Sequence, residues 1–418
     1  MSKRTYRATD FHYVDWRDLS RRVGGERAVF AIDVAKRDFV GVMMDAERQG
    51  LKTIKWRHPR DTRAVLERLS EFPGELEVVL EPTGTYADAL IYQLRCAGLT
   101  VYRMPAKRVH DAQEIYDGVP SLHDGKSAYV IARLHLEGVS ARWDASDERR
   151  RALGAQSKQL EFCRKQAQQA HNRLEAQLAR HWPEAEEVLD LESTSLLRLL
   201  AAYGSPAAVA AEAGQARALL ARVGGHFLAA EKIDALLASG RTTLGLPCLE
   251  AEAQVIGELA EQLLTLKAQR RRLERALCAA SEQDAGVSAQ REAVGTVTAA
   301  VLYADLGDVR DYPSATHYAK AAGLNLKERS SGEHRGRLRL TKRGPGTVRR
   351  YLYFAVLRWI ARPGAAQRWY EAKVTRDGGC KTKAIAALMR KLARALWHVG
   401  QGERFDEQRL FANAAQGA

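Results

Sequence analysis

Residues 29–34, VFAIDV, form an apolar run that contains a single carboxylate, Asp33. Continuous apolar runs of this length are typical of strands that are buried on both faces of a sheet. A charged group inside such a strand costs several kcal/mol unless another group compensates it. The run therefore predicts a buried strand, and it requires a partner for Asp33.

The same kind of signal recurs between residues 28 and 145. Five runs have the apolar or alternating pattern of strands: 29–34, 39–45, 51–56, 76–82 and 99–105. Helical patterns separate the third run from the fourth and the fourth from the fifth, and another helix is predicted to begin near Asp124. Three strands in succession, followed by strand–helix–strand–helix, is the element order of a ribonuclease-H-like α/β domain. We therefore predict this fold for residues 28–145.

The rest of the chain is predicted to be mainly helical. Residues 146–290 carry two heptad-like apolar patterns, one at 160–178 and one at 256–277. Two interpretations stay open for them, a helical bundle that packs on itself or a coiled coil that holds protomers together. Residues 291–418 are predicted to form a third, mainly helical domain, and residues 1–27 are predicted to be an N-terminal extension.

Net charge and the placement of the cysteines indicate which partners and which cellular compartment to expect. The chain has 65 Lys and Arg against 51 Asp and Glu, a net charge of +14. This surplus suits a polyanionic partner, nucleic acid first and an anionic membrane second. The five cysteines are scattered without a CxxC pair, which excludes a zinc ribbon or disulfide framework and indicates reduced intracellular thiols. With no secretory signal and no run of roughly 18 uncharged apolar residues, we predict a cytoplasmic, nucleoid-associated protein without a membrane partner.

A second carboxylate, Glu81, ends the strand-like run at 76–82. In a ribonuclease-H-like sheet the two strands are neighbours, so Asp33 and Glu81 would lie side by side and repel each other unless a cation intervenes. Mg²⁺ prefers oxygen ligands and completes its coordination with water and phosphate, and Asp124 at a helix start would supply a third carboxylate. The alternatives are that Asp124 is a helix N-cap and that Glu81 is solvated.

Four stretches of the sequence occur in a specific order: AIDVAKRDF (31–39), LEPTGTY (80–86), YDGVPSLHDGKSAYVIARL (116–134) and VGTVTAAVLYADLGDVRDYPSATHYAKAAGL (294–324). Together they resemble the DEDD transposases of insertion-sequence family one-ten, bridge-RNA-guided recombinases related to the Piv DNA invertase. The resemblance covers nearly the whole chain and implies a RuvC-like domain, a helical middle and a C-terminal transposase domain. It also implies Mg²⁺, donor and target DNA, a structured guide (bridge) RNA, and a homo-oligomer, from dimer to tetramer.

The resemblance assigns the metal-binding acids of the family to Asp33, Glu81 and Asp124, whereas the fourth position falls on Ser127. Two acids at the spacing D-x-x-D lie on one face of a helix, but here the motif reads D-G-K-S. We expect a weak hydroxyl ligand at Ser127. The alternative is a catalytically impaired copy that only binds nucleic acid.

In this family the C-terminal domain carries a serine that attacks DNA. The matching position in RSSG (329–332) is Ser331, with Ser330 as the alternative. A serine hydroxyl needs a metal or a base to activate it. The expected function is an RNA-guided DNA transposase or recombinase that works through a phosphoserine intermediate. A RuvC-like structure-specific nuclease, with water as the nucleophile, is the alternative.

The segment after these serines is strongly basic. Between residues 335 and 350 there is no acidic residue but seven basic ones: Arg335, Arg337, Arg339, Lys342, Arg343, Arg349 and Arg350. Alternation of the first three arginines with glycine and leucine predicts a strand with three guanidinium groups on one face. We expect these seven side chains, and Lys126 beside Asp124, to contact nucleic-acid phosphates. A solvated charged face is the alternative.

Overall fold

The computed structural model describes residues 6–82, 84–119, 121, 123–143, 148–328, 330–331, 336 and 338–411. The chain divides into two units, Met1–Ser146 and Asp147–Ala418, called here the N-terminal unit and the C-terminal unit. The described part of the first is a mixed α/β structure, and that of the second is mostly helical.

A mixed sheet forms the centre of the N-terminal unit. Its described strands are β1 (Thr9–Asp10), β2 (Ala28–Val34), β3 (Asp38–Asp45), β4 (Gly50–Arg57), β5 (Leu76–Leu80), β6 (Thr100–Arg103) and β7 (Ala141–Arg142). They lie in the order β1-β4-β3-β2-β5-β6-β7. β2 pairs antiparallel with β3 and parallel with β5, so the strand that carries Asp33 is central. The five strands predicted from the sequence are confirmed as β2 to β6.

Helices cover both faces of this sheet: α1 (Trp16–Val23), α2 (Thr62–Ser70), α3 (Asp88–Cys96), α4 (Ala106–Asp111) and α5 (Asp124–Leu136). Successive residues of a strand point to opposite faces. Accordingly, Phe30 and Ile32 pack with α2 and α3 in one core, whereas Val29 and Ala31 pack with α5 in the other. β2 is therefore buried on both faces, as its unbroken apolar run predicts.

The segment before β2 belongs to the same unit. β1 pairs with β4 at the edge of the sheet, and Val14, Leu19 and Val23 are buried in the core that contains Phe30. Leu19 and Val23 are four residues apart and therefore lie on one face of α1. The predicted N-terminal extension is, over residues 6–27, a packed part of the N-terminal unit, because this segment buries apolar side chains against the sheet.

The described part of the C-terminal unit contains one short pair of strands and a series of helices. These elements are α6 (Glu148–His181), α7 (Ala185–Val188), α8 (Thr194–Tyr203), α9 (Pro206–Ala211), α10 (Ala213–Gly224), α11 (Ala230–Thr242), α12 (Glu250–Ser281), α13 (Ala285–Val294), α14 (Thr296–Leu306), α15 (Ala315–Ala321), β8 (Leu326–Lys327), β9 (Arg339–Leu340), α16 (Gly346–Ile360), α17 (Ala365–Arg376), α18 (Lys381–Gly400) and α19 (Glu407–Phe411). Within the described ranges, no helix combines the length and the apolar character needed to cross a bilayer.

The two heptad-like patterns belong to α6 and α12, which pack against each other within the chain. Arg149 at the start of α6 donates a hydrogen bond to the carbonyl of Ala280, near the end of α12, at 2.9 Å. Arg180 near the end of α6 pairs with Glu252 in the first turn of α12 at 3.2 Å. The two helices are therefore antiparallel partners inside one chain, and the pairing of protomers stays a prediction.

The helical middle and the C-terminal region share a core. α7 to α11 form a subdomain between α6 and α12 around Trp182 and Leu200, and α13 to α19 pack around α18 through residues such as Leu392. Leu277 of α12 is buried against Val301 of α14. Because these helices share buried surface, the boundary predicted near residue 290 falls inside one unit.

Candidate active site and nucleic-acid-binding residues

The register of β2 and β5 places Asp33 beside Glu81. Ile32 of β2 pairs with Leu80 of β5. Both strands run in the same direction, so the next residue of each lies at the same level. The two carboxylates therefore stand together at the carboxyl ends of neighbouring parallel strands, the edge at which α/β sheets bind ligands.

Asp33 and Glu81 also lie toward the same face of the sheet. Each comes two residues after a side chain that is buried in the core shared with α5: Ala31 precedes Asp33, and Val79 precedes Glu81. Because side chains alternate along a strand, both carboxyl groups are directed toward the side of the sheet that α5 covers.

The start of α5 brings a third carboxylate to this side. Asp124 is the first residue of the helix, and the N-cap is His123, whose ring accepts a hydrogen bond from the backbone N–H of Lys126 at 3.2 Å. His123 thus satisfies a backbone donor that an N-cap side chain normally satisfies. The alternative interpretation of Asp124 as the helix cap is therefore wrong.

Ser127 partly compensates the charge of Asp33. Its hydroxyl forms a hydrogen bond with the carboxylate of Asp33, and its oxygen accepts a hydrogen bond from the side-chain amide of Gln113 at 3.4 Å. Ser127, to which the resemblance assigns the fourth acid position, therefore contacts the candidate site through a neutral hydroxyl.

Electrostatics single out Asp33 within this group. Burial raises the pKa of Asp33 to about 6, and the charges of Asp124 and Glu81 add to the increase, whereas hydrogen bonds from Ser127 and from the N–H of Val34 oppose it. Burial also raises the pKa of Glu81. Among the described residues, the groups that act most strongly on the pKa of Asp33 include no basic side chain. A set of partly buried carboxylate oxygens without a cation is the donor chemistry that suits a hard divalent ion.

Buried contacts beneath the carboxylates fix the first turn of α5. Lys126 is only 1% exposed, and its ammonium pairs with Asp117 at 2.9 Å and donates to the carbonyl of Val119. Asp117 also accepts a hydrogen bond from the hydroxyl of Tyr6 at 3.0 Å. A buried ammonium that is held by these partners has no access to phosphate. The predicted nucleic-acid contact of Lys126 is therefore wrong, and its role is structural.

Asp117, Tyr6 and Gly125 were not predicted from the sequence as parts of this support. A Cβ on Gly125 would lie 2.4 Å from the carbonyl oxygen of Tyr6, so only glycine lets the N-terminal segment pass so close to the helix. One signal did point to burial: Lys126 precedes the buried Tyr129 by three residues, which places both on the apolar face of α5.

Ser330 and Ser331 are both exposed in the C-terminal unit. The hydroxyl of Ser330 donates to the carboxylate of Glu328 at 2.5 Å and accepts from the N–H of Gly336 at 3.1 Å. A carboxylate in this position either holds the serine in place or activates it as a base. The choice between Ser331 and Ser330 therefore stays open, with Ser331 the predicted nucleophile.

One residue of the basic segment, Arg339, lies in the β8–β9 pair. The two strands are antiparallel, and Arg339 lies opposite Lys327. Arg339 is exposed, in agreement with a strand whose guanidinium groups face outward. Arg335 and Arg337, the other members of the predicted stripe, lie outside the described residues.

Lys342 and Arg343 follow β9 in a closely packed turn, and both are exposed. A Cβ on Gly344 would lie 2.2 Å from the carbonyl oxygen of Ala321, so this glycine keeps the turn against α15. Arg339, Lys342 and Arg343, called here the basic hairpin, therefore project from a fixed backbone.

Arg349 and Arg350 bind the protein itself. The guanidinium of Arg349 donates to the carbonyl of Gly344 at 2.8 Å. Arg350 is 21% exposed, pairs with Glu161 of α6, and lies over the ring of Tyr351 at 4.8 Å. The structure therefore contradicts the predicted phosphate contact of Arg350, and it gives Arg349 a structural role in the turn.

We expect Asp33→Asn to stabilise the metal-free protein at about pH 8. The native pKa of about 6 exceeds the ordinary value of 3.8, so the folded state binds this proton more tightly than the unfolded chain. Stability therefore falls as pH rises through the window between these values. Asparagine removes a cost of up to about 3 kcal/mol above that window, and it has little effect at about pH 4. Thermal unfolding in EDTA at both pH values measures the difference.

Asp38→Asn is the matched control, because Asp38 is exposed at the start of β3. Asp38→Asn should not reproduce the gain in stability of Asp33→Asn at about pH 8. An equal gain in both variants would show that the effect comes from net charge and not from the carboxylate cluster.

Comparison with known families matches both units of the chain. Residues 30–183 match the model of the DEDD transposases of the IS110 type, described as "Transposase". Residues 289–371 match the model described as "Transposase IS116/IS110/IS902 family".

Individual relatives agree with these matches. The chain is 27% identical over 356 residues to the "Insertion element IS110 uncharacterized 43.6 kDa protein" of Streptomyces coelicolor, which covers 83% of this chain and 87% of that protein. It is 24% identical over 390 residues to the "Insertion element IS116 uncharacterized 44.8 kDa protein" of Streptomyces clavuligerus, which covers 91% and 96%. It is 30% identical over 171 residues to the "Probable family 20 transposase" of Pseudomonas aeruginosa, which covers 39% and 49%. On these matches, the chain belongs to the IS110 family of DEDD transposases, a family whose activity is DNA transposition.

Proposed function

We propose that this protein is an RNA-guided DNA transposase that joins donor and target DNA by serine attack on phosphodiesters and depends on a Mg²⁺-binding RuvC-like unit. The observation that supports this most directly is the electrostatic coupling of Asp33 with Glu81 and Asp124. A carboxyl group whose pKa is raised by burial and by neighbouring carboxylates, as that of Asp33 is, is more typical of a functional site than of a stabilising contact. Family membership supplies the reaction class, DNA recombination.

The strand order supports a ribonuclease-H-like arrangement of the N-terminal unit. β2, β3 and β4 form an antiparallel meander, and β5 and β6 extend the sheet parallel to β2. This order is the one expected when three successive strands precede strand–helix–strand–helix. It places the ends of β2 and β5 together, at the position where such a unit would act on phosphodiesters.

Asp33, Glu81 and Asp124 would hold Mg²⁺, with Ser127 as a weak additional ligand. Their donor atoms are all oxygens, and they are partly buried without a cation, which suits Mg²⁺ better than a metal that prefers imidazole or thiolate. Mutual repulsion keeps such carboxylates apart when no ion is bound. When bound, Mg²⁺ supplies neutralisation of phosphate charge and polarisation of the phosphate oxygen.

Ser331 is the proposed nucleophile. Its Oγ forms a bond to phosphorus while the bond from phosphorus to the leaving sugar oxygen breaks. The hydroxyl proton passes to a base, and the leaving oxygen takes up a proton. The phosphoserine diester retains the energy of the original bond, so a new strand can be joined without ATP. The contact of Glu328 with Ser330 supports the alternative in which Ser330 attacks.

The basic hairpin would bind phosphates of the DNA or of the guide RNA. Its three side chains are exposed, they lie close in sequence to the proposed nucleophile, and the chain carries a net charge of +14. RNA guidance rests on the family resemblance. A homo-oligomer, from dimer to tetramer, is expected because the exchange of strands between two duplexes requires several nucleophiles.

A covalent adduct is the direct test of this mechanism. The full-length protein is incubated with Mg²⁺, the DNA ends of its element and the adjoining RNA, and then denatured and separated by electrophoresis. Wild type and Ser330→Ala should give a protein–DNA adduct, and Ser331→Ala should give none. Peptide mapping then identifies the modified serine.

Two other outcomes are informative. An adduct that disappears only in Ser330→Ala would move the nucleophile to that residue. Cleaved DNA without any adduct would show that water attacks, and would replace the transposase mechanism with that of a structure-specific nuclease.

The basic hairpin is tested by neutralising Arg339, Lys342 and Arg343 together to glutamine. We expect weaker binding to DNA and RNA of any sequence, and a shallower dependence of log affinity on log salt, by roughly one unit for each phosphate that the hairpin no longer neutralises. Fluorescence anisotropy at several salt concentrations measures both. The control neutralises three exposed arginines of the α7–α11 subdomain: Arg198, Arg222 and Arg241. If the control lowers the slope equally, the hairpin has no special role.

Ser127→Asp tests the departure from the four-acid pattern. The change replaces a hydroxyl that bonds to Asp33 with a second negative charge. The metal-free variant should therefore unfold at a lower temperature than wild type at about pH 8, and Mg²⁺ should raise its unfolding temperature more. Ser127→Asn, which has the same size without the charge, should show neither effect. A Mg²⁺ response that is unchanged in Ser127→Asp would place Ser127 outside the metal site.

A further inference from the structure

A second group of metal-ligating side chains lies where α6 ends and α12 begins. His181 is the last residue of α6, Cys248 precedes α12, and Glu252 lies in the first turn of α12. One imidazole nitrogen, the thiol sulfur and one carboxylate oxygen of these residues all lie within 4.8 Å of one another. We call them the His–Cys–Glu cluster. Nothing in the proposed transposase mechanism uses them.

The imidazole of His181 is the most informative member. The side chain is 0% exposed, and its Nδ1 lies 3.0 Å from the carbonyl oxygen of Leu246. A carbonyl only accepts hydrogen bonds, so Nδ1 carries the hydrogen and Nε2 presents its lone pair. This Nε2 is buried and has no hydrogen-bond partner within the described chain. An unsatisfied buried acceptor is costly, and here it lies beside the sulfur and carboxylate of the cluster.

The contact with Leu246 is also the one that orients a metal-binding histidine. Histidine ligands generally donate their second ring N–H to a carbonyl or carboxylate, which fixes the ring and selects the nitrogen that binds the ion. Glu252 has a comparable support, because one of its carboxylate oxygens accepts from the N–H of Leu249 at 3.0 Å. Its other oxygen lies 3.6 Å from Nε2 of His181, beyond hydrogen-bonding distance but close enough to share an ion.

The loop that leads to Cys248 is fixed against the end of α6. The N–H of Leu246 donates to the carbonyl of Arg180 at 2.7 Å. A Cβ on Gly245 would lie 2.2 Å from the carbonyl oxygen of His181, so glycine is required for this close approach. The backbone around the cluster is therefore held in place before any ion binds.

The ligand set identifies the class of metal. A thiolate, an imidazole and a carboxylate are ligands of Zn²⁺, whereas Mg²⁺ takes oxygen ligands only. Burial raises the pKa of the Cys248 thiol, so the ion must displace the thiol proton when it binds. Arg180 is the opposing charge, at 3.2 Å from Glu252, but its side chain is 52% exposed and can turn into solvent.

We infer that Nε2 of His181, Sγ of Cys248 and the carboxylate of Glu252 bind one Zn²⁺ ion, with water in the fourth position. Binding releases one proton, from the thiol of Cys248. The ion joins the end of α6 to the start of α12 and so closes the base of the α7–α11 subdomain. Because the unfolded chain does not hold these ligands together, Zn²⁺ stabilises the folded state.

The test uses the full-length protein stripped with EDTA, dialysed against a low concentration of ZnCl₂ and then against buffer. Elemental analysis should find one Zn²⁺ per chain in wild type and in Cys380→Ser, and none in Cys248→Ser. Cys380→Ser is the matched control because its thiol precedes α18, where it contacts Thr382 and the N–H of Lys383 and no member of the cluster is among these partners. Removing a ligand should weaken Zn²⁺ binding by about 100-fold or more, beyond the roughly 10–100-fold effect of altering an outer-shell partner.

Three further measurements distinguish loss of the metal site from misfolding. Circular dichroism establishes that Cys248→Ser and Glu252→Gln are folded, and Co²⁺ should give a thiolate charge-transfer band in wild type and Cys380→Ser but not in Cys248→Ser. Zn²⁺ should also raise the unfolding temperature of wild type and not that of Cys248→Ser. Wild type that retains no Zn²⁺, or Cys248→Ser that retains as much as wild type, would overturn the inference. Neither result depends on the activity of the protein with DNA.

Discussion

An acidic residue on the central strand is the constraint that organises the N-terminal unit. β2 has strands on both sides and helices on both faces, so Asp33 reaches solvent only near the carboxyl end of its strand. Burial and the charges of Asp124 and Glu81 increase the cost of its ionisation. The hydroxyl of Ser127 offsets part of that cost. Several elements converge to keep these acids together, and their repulsion reduces the stability of the fold. In folded proteins, groups that reduce stability in this way concentrate at functional sites.

In the first turn of α5, side chains that face the candidate site alternate with a buried charge that holds the turn in place. Asp124 and Ser127 are directed to the carboxylate group, whereas Lys126 between them is buried with Asp117 and Tyr6. A buried ion pair is weak evidence for stability, but breaking one is strongly destabilising because it leaves a charge without a partner. The pair therefore fixes the position of the turn, and through it the distance between Asp124 and the strand that carries Asp33. The N-terminal segment takes part because it contributes the Tyr6 hydroxyl.

Local patterns of apolar residues predict much of this structure. The features that the sequence does not predict depend on pairing between residues far apart in the chain. The apolar runs predicted β2 to β6 because burial on both faces leaves a continuous pattern, and strand order then placed Glu81 beside Asp33. The burial of Lys126 could be predicted from its spacing to Tyr129, but its position beside Asp124 favoured a phosphate contact. The ion pair of Arg350 could not be predicted from the adjoining sequence, because its partner Glu161 is 189 residues away in the chain. Heptad patterns in α6 and α12 likewise look the same whether the partner helix belongs to the same chain or to another.

Long-range pairing also explains why the spacing of the cysteines does not predict the His–Cys–Glu cluster. A zinc ribbon can be recognised in a sequence because its ligands occur in closely spaced pairs. His181 and Cys248, in contrast, are separated by the whole α7–α11 subdomain. Their proximity arises only because α6 and α12 run antiparallel, which brings the end of one helix to the start of the other. The two candidate metal sites also differ in chemistry, since carboxylate oxygens select a hard ion and a thiolate with an imidazole selects a softer one. Under these two proposals each unit would bind its own metal without competition. Chelation that removes Zn²⁺ would then act on the helical framework, and depletion of Mg²⁺ would act on the reaction.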